Sequence, residues 1–453
     1  MSIREVIKKI VENLPEGLGQ PLTHVPFGVR LGAAYRQSAN AIRVAECVDP
    51  AEWDARLSRQ LRAILKLAVD QVGFYRDFYG ARGFSPDEVQ SIQDWAHVPV
   101  VTKADLQGVP LAARCARVAR GFSVNTGGTS GQPLEFQLDQ QAFAREWAHM
   151  HHIWKARGYQ PQHLKLTFRG KHFDRRQPLR YNAVHNEHVV NSNCSMQEVV
   201  EAVLALPRTK VIRWVHGYPS LVAEFAHALD VHAPSFAAIV RARLFGVLLG
   251  SEYPAPTYRE AIERILSTNV VSWYGHSEMA VLARETALGV YQSLPTYGYA
   301  EAVPSDTGTT HRLVCTSLHN RVHPFIRYDT GDLIEPVAPL AGALAFRISE
   351  GRVGDFVVDR KGNRLALTAI IFGRHHNAFG TIQHVQVRQD APGRIVFVVT
   401  PGQFPADAQA LRRGFDFGDL DIDWDIEVVR EPVRSGAGKI RLKIRSSDDS
   451  AET

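Results

Sequence analysis

Apolar residues fall into two different rhythms along this chain. Ile3, Val6, Ile7, Ile10 and Leu14 recur three or four apart, which predicts an opening amphipathic helix. Arg4, Lys8 and Lys9 make its polar face basic, a composition that suits a membrane surface or, more commonly, packing on the protein body. Leu57, Leu61, Ile64, Leu65 and Val69 extend the helical period over 57–79. From about residue 160 the rhythm changes. Short apolar runs at 164–168, 244–249 and 269–273 read as buried strands, with helices at 221–229 and 258–266 between them. Such alternation predicts parallel sheets covered by helices. Past 384 the strands 384–387, 395–399 and 424–429 with a helix at 406–413 describe a smaller α+β unit.

The expected fold class is α/β: a large N-terminal domain, 1–350, with mostly parallel sheets, and a small mobile α+β C-terminal domain, 351–453. The boundary falls at Gly351-Arg-Val-Gly-Asp355, where two glycines bracket a stiffer stretch and Asp355 marks the hinge. Composition changes this picture little. A 453-residue chain with 45% hydrophobic and 22% charged residues is an ordinary globular protein. The net charge of +5 comes from basic residues spread along the chain, which argues against a nucleic-acid partner. Cys47, Cys115, Cys194 and Cys315 stand far apart, so buried free thiols are expected rather than a zinc site or disulfides. No apolar signal region and no run of about 18 apolar residues is visible, which sets the expectation of a cytoplasmic protein without stable membrane insertion.

Six short stretches carry candidate chemistry. Thr126-Gly-Gly-Thr-Ser-Gly131 places three glycines and three hydroxyls together; Thr126, Gly127, Gly128, Thr129, Ser130 and Gly131 could turn N–H and O–H groups onto phosphate oxygens. The same composition also makes a plain turn, and no Walker lysine follows. Glu278 stands just past a strand end, where α/β folds place ligands and where magnesium finds one carboxylate. The alternative is a surface glutamate opening a helix over 278–288. Tyr274 could stack on an adenine ring or fill the core. His276 reads as an orienting residue.

Asp332 closes Tyr328-Asp-Thr-Gly-Asp332, which has the composition of a tight turn and also of a carboxylate that accepts ribose hydroxyls. His216-Gly-Tyr-Pro-Ser220 and Gly250-Ser-Glu252 are softer signals whose alternatives are a loop and a helix cap. Lys439 follows Gly436-Ala-Gly438 near the C-terminus, a placement that suits a mobile point charge or an ordinary solvated lysine.

In this order the motifs resemble those of adenylate-forming ligases, in the branch of phenylacetate–CoA ligase and the CapK-like proteins. Gly73-Phe-Tyr-Arg-Asp-Phe-Tyr79 and His97-Val-Pro-Val-Val-Thr-Lys-Ala-Asp-Leu106 match that branch's N-terminal signature, and the resemblance runs from about 30 to about 445. The resemblance implies ATP and magnesium, with coenzyme A as a further candidate. It implies that 126–131 hold pyrophosphate, that Ser251, Glu252 and Tyr274 lie against adenine, that Glu278 binds magnesium, and that Asp332 binds ribose. Arg352 would lie beside the nucleotide near the hinge, and Lys439 would bridge substrate carboxylate and α-phosphate. His216, Gly217, Tyr218, Trp273 and Gly275 would line the acyl pocket.

Departures from the family pattern are Gly127 in place of a second hydroxyl, Gln132 where a lysine is frequent, and Gly354 where an aspartate is usual. Asp359-Arg-Lys-Gly-Asn-Arg-Leu365 has the CapK-like form. These differences bear on the acyl acceptor more than on adenylation. The partners implied are a small carboxylic acid and a thiol or amine acceptor, and a homodimer is left open. A CoA thiol is slightly favoured. An amine, AMP transfer to an acceptor, and a non-catalytic nucleotide-binding role are the alternatives.

Overall fold

The computed structural model describes residues 11–12, 14–117, 121–125, 134–171, 173–174, 177–207, 211–252, 255–305, 310–340, 343–350, 356–362, 364–371, 378, 381–402, 407–415, 417, 420–434 and 440–444. Most of the expected opening helix therefore lies outside the described residues. The chain is α/β and divides into two compact units, one made of 1–26, 158–272 and 355–453, the other of 27–157 and 273–354.

The first unit contains the parallel sheet. Leu164–Lys171, Ile212–Gly217, Gly246–Leu249 and the first half of Val270–Gly275 run side by side in parallel, and Glu187–Asn191 pairs with the outer side of Leu164–Lys171. Gly246–Leu249 is buried on both faces and the sequence spells it with apolar residues throughout, whereas Leu164–Lys171 buries Lys165, whose ammonium donates to the His185 carbonyl at 2.6 Å. Helices Met196–Leu204, Pro219–His232 and Pro256–Leu266 pack Val199, Val222, Phe225, Leu229, Ile262 and Leu266 against them. The helix Pro219–His232 begins with proline at its first position, where no backbone N–H is required.

The C-terminal part of this unit has its own four-stranded sheet, ordered Asp423–Val428, Arg394–Pro401, Ile382–Ala391 and Lys443–Ile444. Its own core gathers Val385, Val387, Phe397 and Val399 with Phe415 and Phe417. The Phe397 and Phe417 rings stack at 4.6 Å.

The second unit is built on an antiparallel ladder that the periodicity did not announce. From the second half of Val270–Gly275 it runs through Leu282–Ala287, Val290–Ser293, Ala343–Glu350, Tyr328–Leu340 and His311–Ser317 to Gly298–Pro304. The helix considered for 278–288 is not formed. Residues 282–287 are a strand, because Leu288 and Gly289 turn the chain back onto Val290–Ser293, with Gly289 at φ 69.

The helical stretch read as 57–79 is two helices, Pro50–Gln71 and Gly73–Gly80, separated at Val72, whose backbone is extended. Asp49 caps the first by accepting the Ala51 N–H at 2.9 Å. Of the four thiols, Cys194 and Cys315 are buried as expected, whereas Cys115 is half-buried and Cys47 is exposed. No helix among the described residues is long and apolar enough to cross a membrane.

Candidate active site

In the second unit, Val270–Gly275 ends by presenting Trp273, Tyr274 and Gly275, and the turn that follows carries His276 and Glu278. Glu278 is 5% exposed, and both its oxygens are engaged. The Tyr328 hydroxyl donates to Oε1 at 3.2 Å, and His276 Nδ1 lies 3.0 Å from Oε2. The Tyr274 phenol donates to Asp332 Oδ2, while its ring stands edge-on to Phe346 at 5.5 Å. Asp332, 58 residues from Tyr274, meets it directly, and the His276 ring, 6.4 Å from that of Tyr274, links the pair to Glu278 in one cluster.

The local fold of 329–332 explains why Asp332 faces this cluster. Gly331 takes φ 78, a backbone open to glycine, while its N–H bonds Asp329 Oδ1 at 2.9 Å. Asp332 N–H bonds Thr330 Oγ1 at 3.2 Å, and Thr330 bonds back to the Leu313 carbonyl at 2.8 Å. The stretch expected as a tight turn is instead part of the strand Tyr328–Leu340, where it forms a bulge at which the pairing with His311–Ser317 shifts register.

Cys315 lies beneath the cluster with Sγ 3.7 Å from His276 Nε2. Burial, reinforced by the carboxylates of Glu278, Asp329, Glu301 and Asp332, pushes its thiol well up, so it stays neutral and is no nucleophile. His276, read from the sequence as orienting or structural, contacts Glu278 directly.

Two stretches from the N-terminal signature buttress this cluster. Val101 N–H bonds the Arg327 carbonyl at 3.0 Å, and Asp329 N–H returns to the Val101 carbonyl at 2.9 Å. Tyr75 donates to the Pro324 carbonyl at 2.8 Å and accepts from Ile326 N–H at 3.0 Å. Arg327, at φ 41, turns its side chain away from the cluster to Glu301 and the carbonyls of Ala96 and Val98. Sequence reading missed these buttressing roles, because each partner lies more than two hundred residues from 75 or 96 in the chain.

Trp273 is buried with its ring 5.8 Å from Trp154, and a Cβ at Gly275 would stand 3.0 Å from Leu282 Cδ1. Both are tightly packed within this unit.

The remaining described candidates lie in the first unit, at the C-terminal ends of its parallel strands. Gly217 must be glycine: a Cβ there would stand 2.2 Å from the Phe168 carbonyl oxygen. Tyr218 N–H bonds that same carbonyl at 3.0 Å. Ser251, held at φ 69, accepts from Arg169 Nη2 through its hydroxyl oxygen at 3.3 Å. His216 is driven well below the usual imidazole range by burial and by the cations Arg169 and Lys165 together with His185. Burial raises the Tyr218 hydroxyl, with Arg169 opposing and Glu252 adding to the shift. Both side chains are therefore neutral around the Arg169 cation, which sequence reading did not single out.

Glu252 accepts the Ser220 N–H at 3.0 Å through Oε2, so the helix-cap alternative holds for it. Its Oε1 accepts the Ile440 N–H at 3.0 Å.

Residues 126–131, Arg352, Asp355 and Lys439 lie outside the described residues. The strands Gly121–Asn125 and Glu135–Asp139 that flank the first of these pair antiparallel, with Asn125 opposite Glu135. Among the described residues no three His, Cys, Asp or Glu side chains gather to cage a metal. A single carboxylate, Glu278, fits a magnesium ion that takes most of its ligands from phosphate and water.

No family model matches the chain, and no curated protein matches it. Solved structures do. A 2-hydroxyisobutyryl-CoA ligase in the postadenylation state, in complex with R3-HIB-AMP, is 16% identical over 88% of this chain and 90% of its own, with a TM-score of 0.62. The same ligase with 2-HIB-AMP and CoA in the thioesterification state is 18% identical over 88% and 90%, with a TM-score of 0.51. The GH3.15 acyl acid amido synthetase is 15% identical over 83% and 86%, with a TM-score of 0.55. The chain has the fold that these adenylate-handling and acyl-transferring ligases share.

Proposed function

We propose that this protein activates a carboxylic acid with ATP, forming an acyl-adenylate and releasing pyrophosphate, and then passes the acyl group to a nucleophile. The observation that carries this reading is the Tyr274–Asp332 contact beside Glu278, in a fold shared with a CoA ligase and an acyl acid amido synthetase. The N-terminal signature, which packs against 324–329, supports the phenylacetate–CoA ligase and CapK-like branch.

In this reading Asp332 accepts the ribose hydroxyls and Tyr274 lies against adenine. Ser251 and Glu252 belong to the nucleotide side, with 126–131 on pyrophosphate and Arg352 nearby. His216, Gly217, Tyr218, Trp273 and Gly275 border the acid. Glu278 would hold magnesium, which when bound neutralises charge on phosphoryl oxygens. The acid needs no general base, because a carboxylate is already ionised near pH 7. It attacks the α-phosphorus and pyrophosphate leaves, with the Lys439 ammonium stabilising the charge that builds on the phosphoryl oxygens. Movement of 351–453 about Asp355 then withdraws Lys439 and admits the acceptor.

A CoA thiol is the favoured acceptor and an amine the second reading, since both kinds of ligase share the fold. The test is pyrophosphate release with ATP, magnesium and a panel of aromatic, aliphatic, amino and uronic acids, each with and without CoA or an amine. Release that depends on one acid supports adenylation and names the substrate. Thiol consumption identifies a CoA ligase, and amine-dependent turnover an amide synthetase. Absence of release with every acid overturns the reading.

A further inference from the structure

The chain on either side of 435–439 is tied down by two carboxylates. Arg434 Nη2 lies 2.5 and 2.7 Å from the two oxygens of Glu224, on the helix Pro219–His232. Ile440 N–H donates to Glu252 at 3.0 Å, and the other oxygen of Glu252 caps that same helix at Ser220. Arg434 and Ile440 form an antiparallel bridge to each other. Gln386 reinforces it, accepting from Val433 N–H at 2.7 Å and donating to the carbonyls of Val433 and Arg441, each at 2.9 Å.

Glu224 is buried, with His384 Nε2 2.8 Å away and the Tyr258 hydroxyl 2.9 Å from His384 Nδ1. A carboxylate so far out of water is costly to bury, and apolar packing would serve adhesion alone at least as well. What an ion pair adds is one defined geometry. The Ile440 N–H belongs to the peptide group shared with Lys439, so the Glu252 contact acts at the bond next to that lysine.

We propose that Glu224 and Glu252 are positioning residues for the adenylation step. Together they fix the chain that carries Lys439 in register with the helix Pro219–His232, and they give it up when the acyl group is transferred. The proposal rests on the adenylation reading above, which wild-type pyrophosphate release tests by itself.

The experiment uses full-length Glu224→Gln and Arg434→Gln for the two half-reactions, with Arg434→Lys as a partial rescue, and keeps Glu252→Gln for amide hydrogen exchange alone. Acid-dependent pyrophosphate release should lose about 10- to 100-fold in kcat, as expected for a displaced catalytic group, with KM for ATP and acid little changed. Acyl transfer from chemically prepared acyl-adenylate should be unchanged or faster, and Arg434→Lys should recover part of the first step. Equal loss in both half-reactions, a loss confined to KM, or no loss would overturn the proposal. Amide hydrogen exchange at Ile440 needs no turnover. It should quicken in Glu252→Gln, and an unchanged rate overturns the clamp even if no acid substrate is found.

Discussion

Arg327 meets Glu301 through two nitrogens, Nε and Nη2, each 3.1 Å from a different carboxylate oxygen. Its remaining donor, Nη1, reaches the carbonyls of Ala96 and Val98 at 2.6 and 2.5 Å. This one side chain joins the stretch before Asp332 to the N-terminal signature. Arg327→Ala leaves Glu301 buried without its cation and should cost about 3–5 kcal/mol of unfolding free energy. Arg327→Lys loses the planar fork and should recover only part of it. Denaturant unfolding measures both, and a loss below 1 kcal/mol in Arg327→Ala would deny the anchor role.

Asp332 and Tyr274 can be separated by their partners. If Asp332 accepts ribose hydroxyls, Asp332→Asn should raise KM for ATP by about 10- to 100-fold, the worth of hydrogen bonds to a charged acceptor. Wild type should discriminate against 2′-deoxy-ATP, and Asp332→Asn should lose that discrimination. Equal discrimination in both proteins would remove the ribose assignment.

Tyr328 holds Glu278 through a hydroxyl that a phenylalanine lacks. Tyr328→Phe should cost about 1–3 kcal/mol, because one carboxylate oxygen stays buried with a partner fewer. Glu278→Gln should raise the magnesium concentration needed for half-maximal pyrophosphate release. A magnesium dependence identical to wild type would place the metal elsewhere.

Two buried histidines set an acid limit. His149 lies between the Arg145 carbonyl at 2.9 Å and Thr296 Oγ1 at 3.0 Å, and burial lowers it to about 3. Burial likewise lowers His323 to about 3, with Arg114 adding to the shift. Both folded values lie below the unfolded value of 6.5, so unfolding takes up protons. Their contribution is fully present above pH 6.5 and is lost as pH falls toward 3, by up to about 1.4 kcal/mol per pH unit for each histidine. His149→Gln with His323→Gln should flatten stability against pH in that window. An unchanged slope would refute the assignment.

Gly217→Ala brings a methyl carbon to 2.2 Å from the Phe168 carbonyl, between two paired strands. The strands must separate, at a cost of at least about 1–3 kcal/mol. A melting temperature equal to wild type would mean that the neighbouring backbone yields freely.

The sequence alone determined the α/β class and the strands around 164, 246 and 270, because strands buried on both faces are rich in apolar residues. It also brought Tyr274, Glu278 and Asp332 to notice, since each belongs to a short motif of distinctive composition. The contacts that place them stayed hidden. Tyr328 and Tyr75 belong to motifs that the sequence marks and Arg327 adjoins one, but nothing local shows what they touch, and Glu224 reads as a polar residue on an apolar helix.

What tertiary structure alone decided is who meets whom. Leu282–Ala287 became a strand once Val290–Ser293 and Tyr274 were there to pair with it, although its local spelling also fits a helix. Glu252 became a cap and a tether only when the helix Pro219–His232 and Ile440 converged on it. Periodicity records which positions leave water, because burial acts on each residue separately. Hydrogen bonds and ion pairs depend on two groups meeting within about 3 Å, and partners 210 residues apart, as Glu224 and Arg434 are, leave no local mark in the chain.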